Sequence, residues 1–331
     1  MTVWTASAPG RCGIAGNPTD MYGGTVLSCS TAERADCRIE SGDAGITAEN
    51  GAARAHMLRK GDFAFTGDNL DILRAALAHF ELDPAVCNLH VTLSTQIPMR
   101  AGLAGSTAML AAITGALDSV LERRMHPWAL AETVRAIEAN RMGVVCGFQD
   151  QHMTVFGGLN FMSFTGKESL MQLPGEPYAV VEPLAGHVSQ LPLLLAHTGV
   201  QHHSGTVHST PRQRWESGDA QVRDTYRTVG TLGWRAKRAL LDRDWPALGE
   251  IMNENHALVS SLGGSGAAND RLIAAAREGG ALGAKLAGAG GGGTIISLTL
   301  DPRRTGEVLL EAGADSLYVP VPSPGLTVSQ S

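Results

Sequence analysis

A glycine-punctuated loop at residues 97–108 is the feature that most constrains the fold of this chain. It reads IPMRAGLAGSTA and lies between a segment of alternating apolar and polar residues, 88–95, and a stretch rich in Ala and Leu, 108–121. The first pattern predicts a half-buried strand and the second a helix. The first N–H groups of a helix lack internal partners and lie at the positive end of its dipole, so the loop is predicted to bind a phosphate. A plain capped connection is the alternative, and no Lys follows Gly105, which excludes a Walker P-loop.

Composition and charge limit the classes of function that need to be considered. The 331 residues are 44% hydrophobic and 18% charged, which is typical of a globular protein with one large or two ordinary domains. The formal net charge is −6 and no charged block stands out, so neither a nucleic-acid nor a membrane partner is expected. The five cysteines lack C-x-x-C spacing and the N-terminus lacks a leader pattern, which together predict a reducing, cytoplasmic location.

An earlier loop system, residues 8–24, contains several polar residues that lie between glycine turns. Arg11, Asn17, Asp20 and Tyr22 provide a cation, an amide, a carboxylate and a phenol. This mixture suits the recognition of a polyol, because a carboxylate accepts from paired hydroxyls while Arg and Asn donate. The alternative is a hairpin in which these residues serve the turn and Asp20 stabilises it.

Two acidic residues stand out downstream of the glycine-punctuated loop. Glu138 lies near the buried face of a predicted helix at 129–141, and Asp150 lies between two glutamines in an apolar neighbourhood. A carboxylate in such surroundings must be satisfied by partners or used in chemistry. The alternatives are that Asp150 caps a helical turn and that Glu138 is a solvated helix charge.

A second glycine-rich run, residues 288–293, precedes a predicted buried strand at 294–300. It contains four consecutive glycines, which are costly in chain entropy, so we expect another backbone or a ligand at close range. A flexible linker is the alternative, but the flanking residues are apolar rather than Ser-rich.

Two segments show no regular pattern. Residues 201–215 are polar, basic and aromatic, which indicates either a surface loop or a lid that brings positive charge to an anionic substrate. The adjacent His202 and His203 lack the spacing of a zinc helix. The residues after Val321 are rich in Pro, Ser and Gly and are expected to be frayed.

The order of the three glycine segments resembles the kinases of galactose, homoserine, mevalonate and phosphomevalonate, the GHMP family. Residues 9–24, 98–108 and 285–293 match its three signatures in the right order. The resemblance implies an α+β fold of two domains, the two-domain GHMP kinase fold. Residues 1–185 would form an ATP-binding domain like the second domain of ribosomal protein S5, and residues 186–331 a ferredoxin-like domain, with ATP and a sugar in the cleft between them.

The resemblance also implies ATP-dependent phosphoryl transfer. Asp150 would face the acceptor hydroxyl and take or orient its proton. Arg11 would keep the Asp150 carboxylate ionised and stabilise negative charge on the transferring phosphoryl group. The triphosphate would be bound by the glycine-punctuated loop at residues 97–108, the central loop. The implied contacts are Pro98, Gly102, Leu103, Ala104, Gly105, Ser106, Thr107 and Ala108. Mg²⁺ would be held by Ser106, Thr107 and Glu138.

Two subgroups are similar to this chain around the acceptor. Residues 17–24 and 204–215 look like glucuronokinases, and residues 149–162 are equally similar to heptose 7-phosphate kinases. Both subgroups phosphorylate the anomeric hydroxyl of a sugar with a distal anion. The implied substrate contacts are Arg11, Asn17, Asp20, Met21, Tyr22, Gly147, Asp150, His208, Arg212, Arg214, Gly290 and Gly291.

The resemblance therefore predicts a sugar 1-kinase that acts on a small molecule. D-glucuronic acid is the leading substrate, with glucuronic acid 1-phosphate as product. The alternatives are a heptose- or octose-phosphate 1-kinase, a kinase of a non-sugar alcohol such as mevalonate or homoserine, and an inactive sensor of sugar and nucleotide. The protein is expected to be a monomer or a homodimer.

Overall fold

The computed structural model describes residues 2–98, 100–167, 175–188, 190–200, 211–288, 290 and 292–331. His208 and Gly291, which the sequence predicts as substrate contacts, lie outside the described residues. The strands are β1 (Val3–Ala15), β2 (Thr25–Ser41), β3 (Ile46–Asn50), β4 (Ala53–Met57), β5 (Leu89–Thr95), β6 (Leu159–Ser163), β7 (Val180–Pro183), β8 (Leu193–His197), β9 (Gly283–Leu286), β10 (Thr294–Leu298), β11 (Ser316–Tyr318) and β12 (Thr327–Gln330). The helices are α1 (Asp71–His79), α2 (Gly105–Val120), α3 (Pro127–Ala136), α4 (Gln149–Phe156), α5 (Ala220–Leu241), α6 (Trp245–Ser261), α7 (Ala267–Glu278) and α8 (Pro302–Glu311).

The larger sheet is built around the long hairpin of β1 and β2. Its order is β12-β1-β2-β5-β3-β4, and β6 pairs with β2 and with β7. Strand β2 has 17 residues, so its first half pairs with β6 and its second half with β5. Helix α2 is buried against β1 and β2. The register of β1 shifts between Pro9 and Arg11, and such a bulge re-aims the side chains beside it.

The smaller sheet has the order β11-β8-β10-β9, and all its pairs are antiparallel. In chain order, β8 is followed by α5, α6 and α7, then by β9, β10, α8 and β11. Numbered within this sheet the strands run 4-1-3-2, which is the β-α-β-β-α-β arrangement of a ferredoxin-like domain. The predicted α+β architecture is therefore confirmed. In the part of the chain that the structure describes, no helix combines the length and apolarity needed to cross a membrane.

The C-terminal segment is a correction to the sequence analysis, because its last residues are not frayed. Strand β12 pairs with β1, from Trp4 opposite Gln330 to Ser7 opposite Thr327. The guanidinium of Arg34 also donates to the carbonyls of Pro324 (2.7 Å) and Gly325 (2.8 Å). The Pro-rich pattern failed as a predictor because these residues find their partners on another strand. The chain after β11 thus returns from the smaller sheet to the edge of the larger one.

Candidate active site

All three glycine segments meet at the bulged part of β1. The backbone N–H of Arg11 donates to the carbonyl of Leu103 in the central loop (3.0 Å). Two residues later, Gly13 donates to Ala287 just before the last glycine run (3.0 Å). Segments more than 90 and 270 residues apart in sequence are therefore joined by backbone bonds to one short stretch of strand.

Glycine is needed where these backbones cross. A Cβ on Gly10 would lie 2.8 Å from the carbonyl oxygen of Leu103, and one on Gly288 would lie 2.5 Å from that of Gly102. Gly290 has a φ of +96°, and a Cβ there would overlap the carbonyl of Gly264. Close packing of backbones thus explains the last glycine run, and a flexible linker does not. Gly290, a predicted substrate contact, packs against protein backbone on this side.

An ion pair between Arg11 and Asp150 lies at the centre of the site. Arg11 Nε donates to Asp150 Oδ1 (2.7 Å) and Nη2 to Oδ2 (2.8 Å), while Nη1 donates to the carbonyl of Gly102 (2.6 Å). Burial acts to lower the pKa of Arg11, but the Asp150 carboxylate more than offsets this and the pKa is raised. The Arg11 side chain is 8% exposed and that of Asp150 30%, so the carboxylate keeps a face open to an incoming group.

Asp20 positions the helix that carries Asp150. Its Oδ2 accepts from the backbone N–H groups of Phe148 (2.7 Å) and Gln149 (2.9 Å), at the first turn of α4. An acidic group at this end of a helix is also favoured by the helix dipole. A Cβ on Gly147 would overlap Asp20 Oδ2, so Gly147 makes room for the carboxylate. The sequence predicts that Asp20 and Gly147 contact the substrate. In the structure, Asp20 Oδ2 accepts instead from backbone N–H groups of α4.

Asn17 faces a buried lysine rather than an open cavity. Its Oδ1 accepts from Lys285 Nζ (2.7 Å), and the same amine donates to the carbonyls of Leu286 (2.5 Å) and Gly13 (3.3 Å). Burial lowers the pKa of Lys285 to about 7, since the three oxygen acceptors carry no formal charge. Lys285 therefore joins the loop system of residues 8–24 to β9, the strand before the last glycine run. Sequence reasoning included it in a motif but gave it no role.

The pKa of Lys285 leads to a prediction about stability. The unfolded chain holds this proton up to the ordinary pKa of 10.5, so between pH 7 and pH 10.5 it binds more protons than the folded chain. We expect the unfolding free energy of the wild type, relative to Lys285→Met, to rise over this range by up to about 1.4 kcal/mol per pH unit. Denaturant unfolding at pH 6, 7.5 and 9 measures it. The exposed Lys60→Met is the control, and wild-type and Lys285→Met values that change in parallel with pH would contradict the assignment.

The central loop runs into α2, and within the described part of the chain the first N–H groups of this helix have no intrahelical partner and no side-chain cap. Helix α2 begins at Gly105, no side chain caps it, and the N–H of Ala108 is the first to bond back, to Ala104 (2.8 Å). Ser106 is exposed at this end. Leu103 and Ala108 are buried, so they can offer a ligand only backbone. Pro98 is half-buried and Gly102 accepts from Arg11.

A buried carboxylate lies beside this helix end. Glu138 sits in a π-helical turn, Ile137–Arg141, that extends α3. Its Oε1 accepts from Thr107 Oγ1 (2.7 Å), and its Oε2 accepts from Gln151 Nε2. Burial raises the pKa of Glu138 to about 7, because these neutral partners only partly compensate the charge. Gln151 was missed by sequence reasoning, although it directly follows Asp150.

The remaining predicted contacts form an aromatic cluster and two ion pairs. Met21 and Tyr22 are buried, and the Tyr22 ring lies 4.5 Å from both the Tyr226 and the Trp215 ring centroids. Burial raises the pKa of Tyr22, and the positive charge of Arg212 opposes that rise.

Both predicted arginines of the 201–215 segment are ion-paired within the protein. Arg212 Nε donates to Glu216 (2.8 Å), and Arg214 Nε donates to Asp219 (2.8 Å). The Arg212 side chain is 29% exposed and the Arg214 side chain 36%. Neither is sealed in the core, so each keeps N–H groups that can reach an anion.

Two family models and several known proteins are similar to this chain. The model of the GHMP kinases N terminal domain matches residues 71–158, and that of the GHMP kinases C terminal domain matches residues 236–315. A mevalonate kinase of Pyrococcus abyssi is 26% identical over 98% of this chain and 97% of its own length. Glucuronokinase 1 of Arabidopsis thaliana is 28% identical over 85% of this chain and 81% of its own length.

A solved structure shows the same fold over nearly the whole chain. Galactokinase of Lactococcus lactis, complexed with galactose, superposes with a TM-score of 0.80 at 17% identity, covering 98% of this chain and 95% of that one. The three glycine segments, the acid on α4 and both family matches lead to one conclusion. This chain belongs to the GHMP kinases, and it is a phosphotransferase that uses ATP and an alcohol acceptor.

Proposed function

We propose that the protein transfers the γ-phosphoryl group of ATP to the anomeric hydroxyl of an acidic sugar, with D-glucuronic acid as substrate and glucuronic acid 1-phosphate as product. One observation carries the proposal: Arg11 joins the Asp150 carboxylate to the carbonyl of Gly102 in the central loop. An acceptor hydroxyl at Asp150 would therefore meet a nucleotide bound along that loop. The likeness to a glucuronokinase supports the choice of sugar.

Asp150 would orient the nucleophile. Both its oxygens accept from Arg11, and a carboxylate has further lone pairs for the proton of an acceptor hydroxyl. Phosphoryl transfer passes through a loose transition state, so alignment and charge neutralisation supply most of the catalysis. Arg11 would provide both, because it fixes the carboxylate and places a permanent positive charge beside the reaction.

Ser106, Thr107 and Glu138 fit a magnesium ion. Oxygen ligands suit this cation, and a carboxylate that burial leaves poorly compensated gains from a positive charge beside it. When bound with ATP, Mg²⁺ would neutralise charge on the phosphate oxygens. Thr107 and Gln151 hold the Glu138 side chain in place for this role.

Replacement of Glu138 gives a prediction for this metal site. We expect Glu138→Gln to raise the half-saturating Mg²⁺ concentration about 10- to 100-fold, because an amide is a weaker ligand for a hard dication. The fold should survive, since the Gln151 amide oxygen, which has no hydrogen-bond partner among the described residues, can turn toward the new amide. ADP release measured across a Mg²⁺ series checks it, with the exposed Glu122→Gln as control. An unchanged Mg²⁺ requirement would exclude Glu138 as a ligand.

Two other acceptors have specific support. The mevalonate kinase likeness over nearly the full chain favours a non-sugar alcohol. A heptose or octose phosphate would equally offer an anion to Arg212 and Arg214, and the similarity of residues 149–162 to heptose kinases favours it. An inactive sensor is disfavoured, because Arg11, Asp150 and Glu138 are all present and engaged with one another or with the central loop.

A substrate panel tests the proposal. The enzyme is incubated with ATP and Mg²⁺ and either uronic acids, heptose or octose phosphates, mevalonate or homoserine, and ADP release is measured. Phosphorus NMR then locates the new ester. We expect a uronic acid to react with the highest kcat/KM and to give an anomeric phosphate. A preference for mevalonate or homoserine, or a phosphate on another carbon, would contradict the proposal.

A further inference from the structure

A groove of about 500 Å³ lies between helix α5 and the short Gly23–Thr25 segment. Its lining shares Tyr22 with the predicted substrate contacts but contains neither Arg11 nor Asp150, where the proposed reaction occurs. Its volume falls within the range of small-molecule sites. The proposed phosphoryl transfer gives no role to Arg223, Arg227 or Trp234 in this lining.

Two tryptophans form apolar walls of the groove. Trp234 is 55% exposed, yet its inner side is fixed because its ring lies 4.4 Å from that of Phe161. Trp215 contacts Tyr22, and the Arg223 guanidinium lies over its ring, 5.7 Å from the centroid, so Trp234 offers the more open indole face. An exposed, immobilised indole in a concavity offers a flat apolar face at small entropic cost. The C–H faces of a sugar ring can stack on such a surface.

A threonine hydroxyl of the groove is arranged to accept a hydrogen bond. The exposed Thr231 donates its Oγ1 proton to the carbonyl of Thr228 (2.7 Å). A hydroxyl has one proton and two lone pairs, so what remains for a ligand is acceptor capacity. A ligand with a hydroxyl donor complements this side of the groove.

Two arginines add positive charge one helical turn apart. Arg223 and Arg227 line the groove from the same face of α5. Arg223 Nε donates to the carbonyl of Trp215 (3.1 Å), which leaves its terminal N–H groups for a ligand. Arg227 pairs with Asp224, but their side chains are 72% and 71% exposed, and such pairs hold weakly. Paired guanidinium groups favour a carboxylate or a phosphate.

From these features we infer that the groove is a second binding site, for a sugar ring that carries an anionic group. Trp234 contacts the ring, the Thr231 oxygen accepts from one of its hydroxyls, and Arg223 and Arg227 bind its anion. Because Tyr22 contributes to the wall of this site and lies two residues from Asp20, the groove adjoins the segment that positions α4. The inference does not depend on which sugar the enzyme phosphorylates.

Equilibrium binding by calorimetry tests the site. The probe is methyl α-D-glucuronide, whose blocked anomeric oxygen cannot be phosphorylated, and neutral methyl α-D-glucoside is its matched control. Glucose 6-phosphate distinguishes a phosphate anion from a carboxylate. We expect at least one anionic sugar to bind the wild type tenfold or more tightly than the glucoside. The double variant Arg223→Gln, Arg227→Gln should lose at least tenfold in affinity and keep its turnover.

Control variants show whether the sugar binds in the groove or elsewhere on the protein. Arg238→Gln removes an exposed, ion-paired arginine on the same helix and should change nothing. Trp234→Ala should weaken binding independently of charge. The inference fails if no anionic sugar binds saturably, if the glucoside binds as tightly as the anionic sugars, or if the double variant binds them normally. It also fails if binding is lost in Asp150→Asn instead, which would place the sugar in the acceptor site.

Discussion

Asp150→Asn is expected to lower kcat by about 10²- to 10⁴-fold while nucleotide binding stays nearly intact. The amide cannot take a proton from the acceptor hydroxyl. It also presents an N–H group to Arg11, where the carboxylate now accepts with both oxygens. ADP release with the preferred sugar gives kcat, and titration with a non-hydrolysable ATP analogue gives the nucleotide affinity.

Its control is Asp242→Asn, which removes an exposed carboxylate paired with Arg238 on the surface. This variant should keep wild-type turnover. An Asp150→Asn enzyme with near-normal turnover would remove Asp150 from the mechanism. A loss of nucleotide affinity as large as the loss of kcat would instead make it a binding residue.

Arg11→Lys is expected to reduce kcat/KM by about 10²- to 10³-fold, although the charge is kept. The guanidinium reaches both oxygens of Asp150 and the carbonyl of Gly102 at once, and a lysine amine on a flexible stem cannot reproduce that geometry. Partial loss of a buried ion pair also destabilises the fold, with about 3–5 kcal/mol as the upper end. Steady-state kinetics and thermal unfolding measure the two effects.

Arg34→Lys is the control that distinguishes a loss of catalysis from a loss of stability. Arg34 also makes several hydrogen bonds, to Ser7 and to the carbonyls of Pro324 and Gly325, but these hold the C-terminal segment. This variant should lower the melting temperature with little change in kcat. If Arg11→Lys behaved in the same way, Arg11 would be a structural residue only.

The contacts that the sequence anticipated around the candidate site depend on local chemical demands. A glycine run before a buried strand and glycines between a strand and a helix both require backbone at close range, and Gly10 and Gly288 meet that requirement. Asp150 and Glu138 stood out because an acid in apolar surroundings needs a partner. Arg11 and Thr107 are those partners.

The parts that sequence did not predict depend on the tertiary partner. Nothing near Asn17 in the chain reveals that its side chain meets Lys285, 268 residues away. The sequence predicts that Asp20 contacts a polyol or stabilises its own turn, and neither interpretation includes the N–H groups of α4 from which its carboxylate accepts. The sequence does not predict the C-terminal strand for the same reason. The Pro-rich segment before it resembles a loop, and its hydrogen-bond partners are on β1.

We propose that the acceptor hydroxyl lies at Asp150, beside a nucleotide held by the central loop. A crystal structure of the complex with a non-hydrolysable ATP analogue and the preferred sugar measures this directly. We expect an Asp150 carboxylate oxygen within about 3 Å of the anomeric oxygen, or linked to it through one water. An anomeric oxygen more than about 10 Å from Asp150, or a triphosphate away from Ser106, would contradict it.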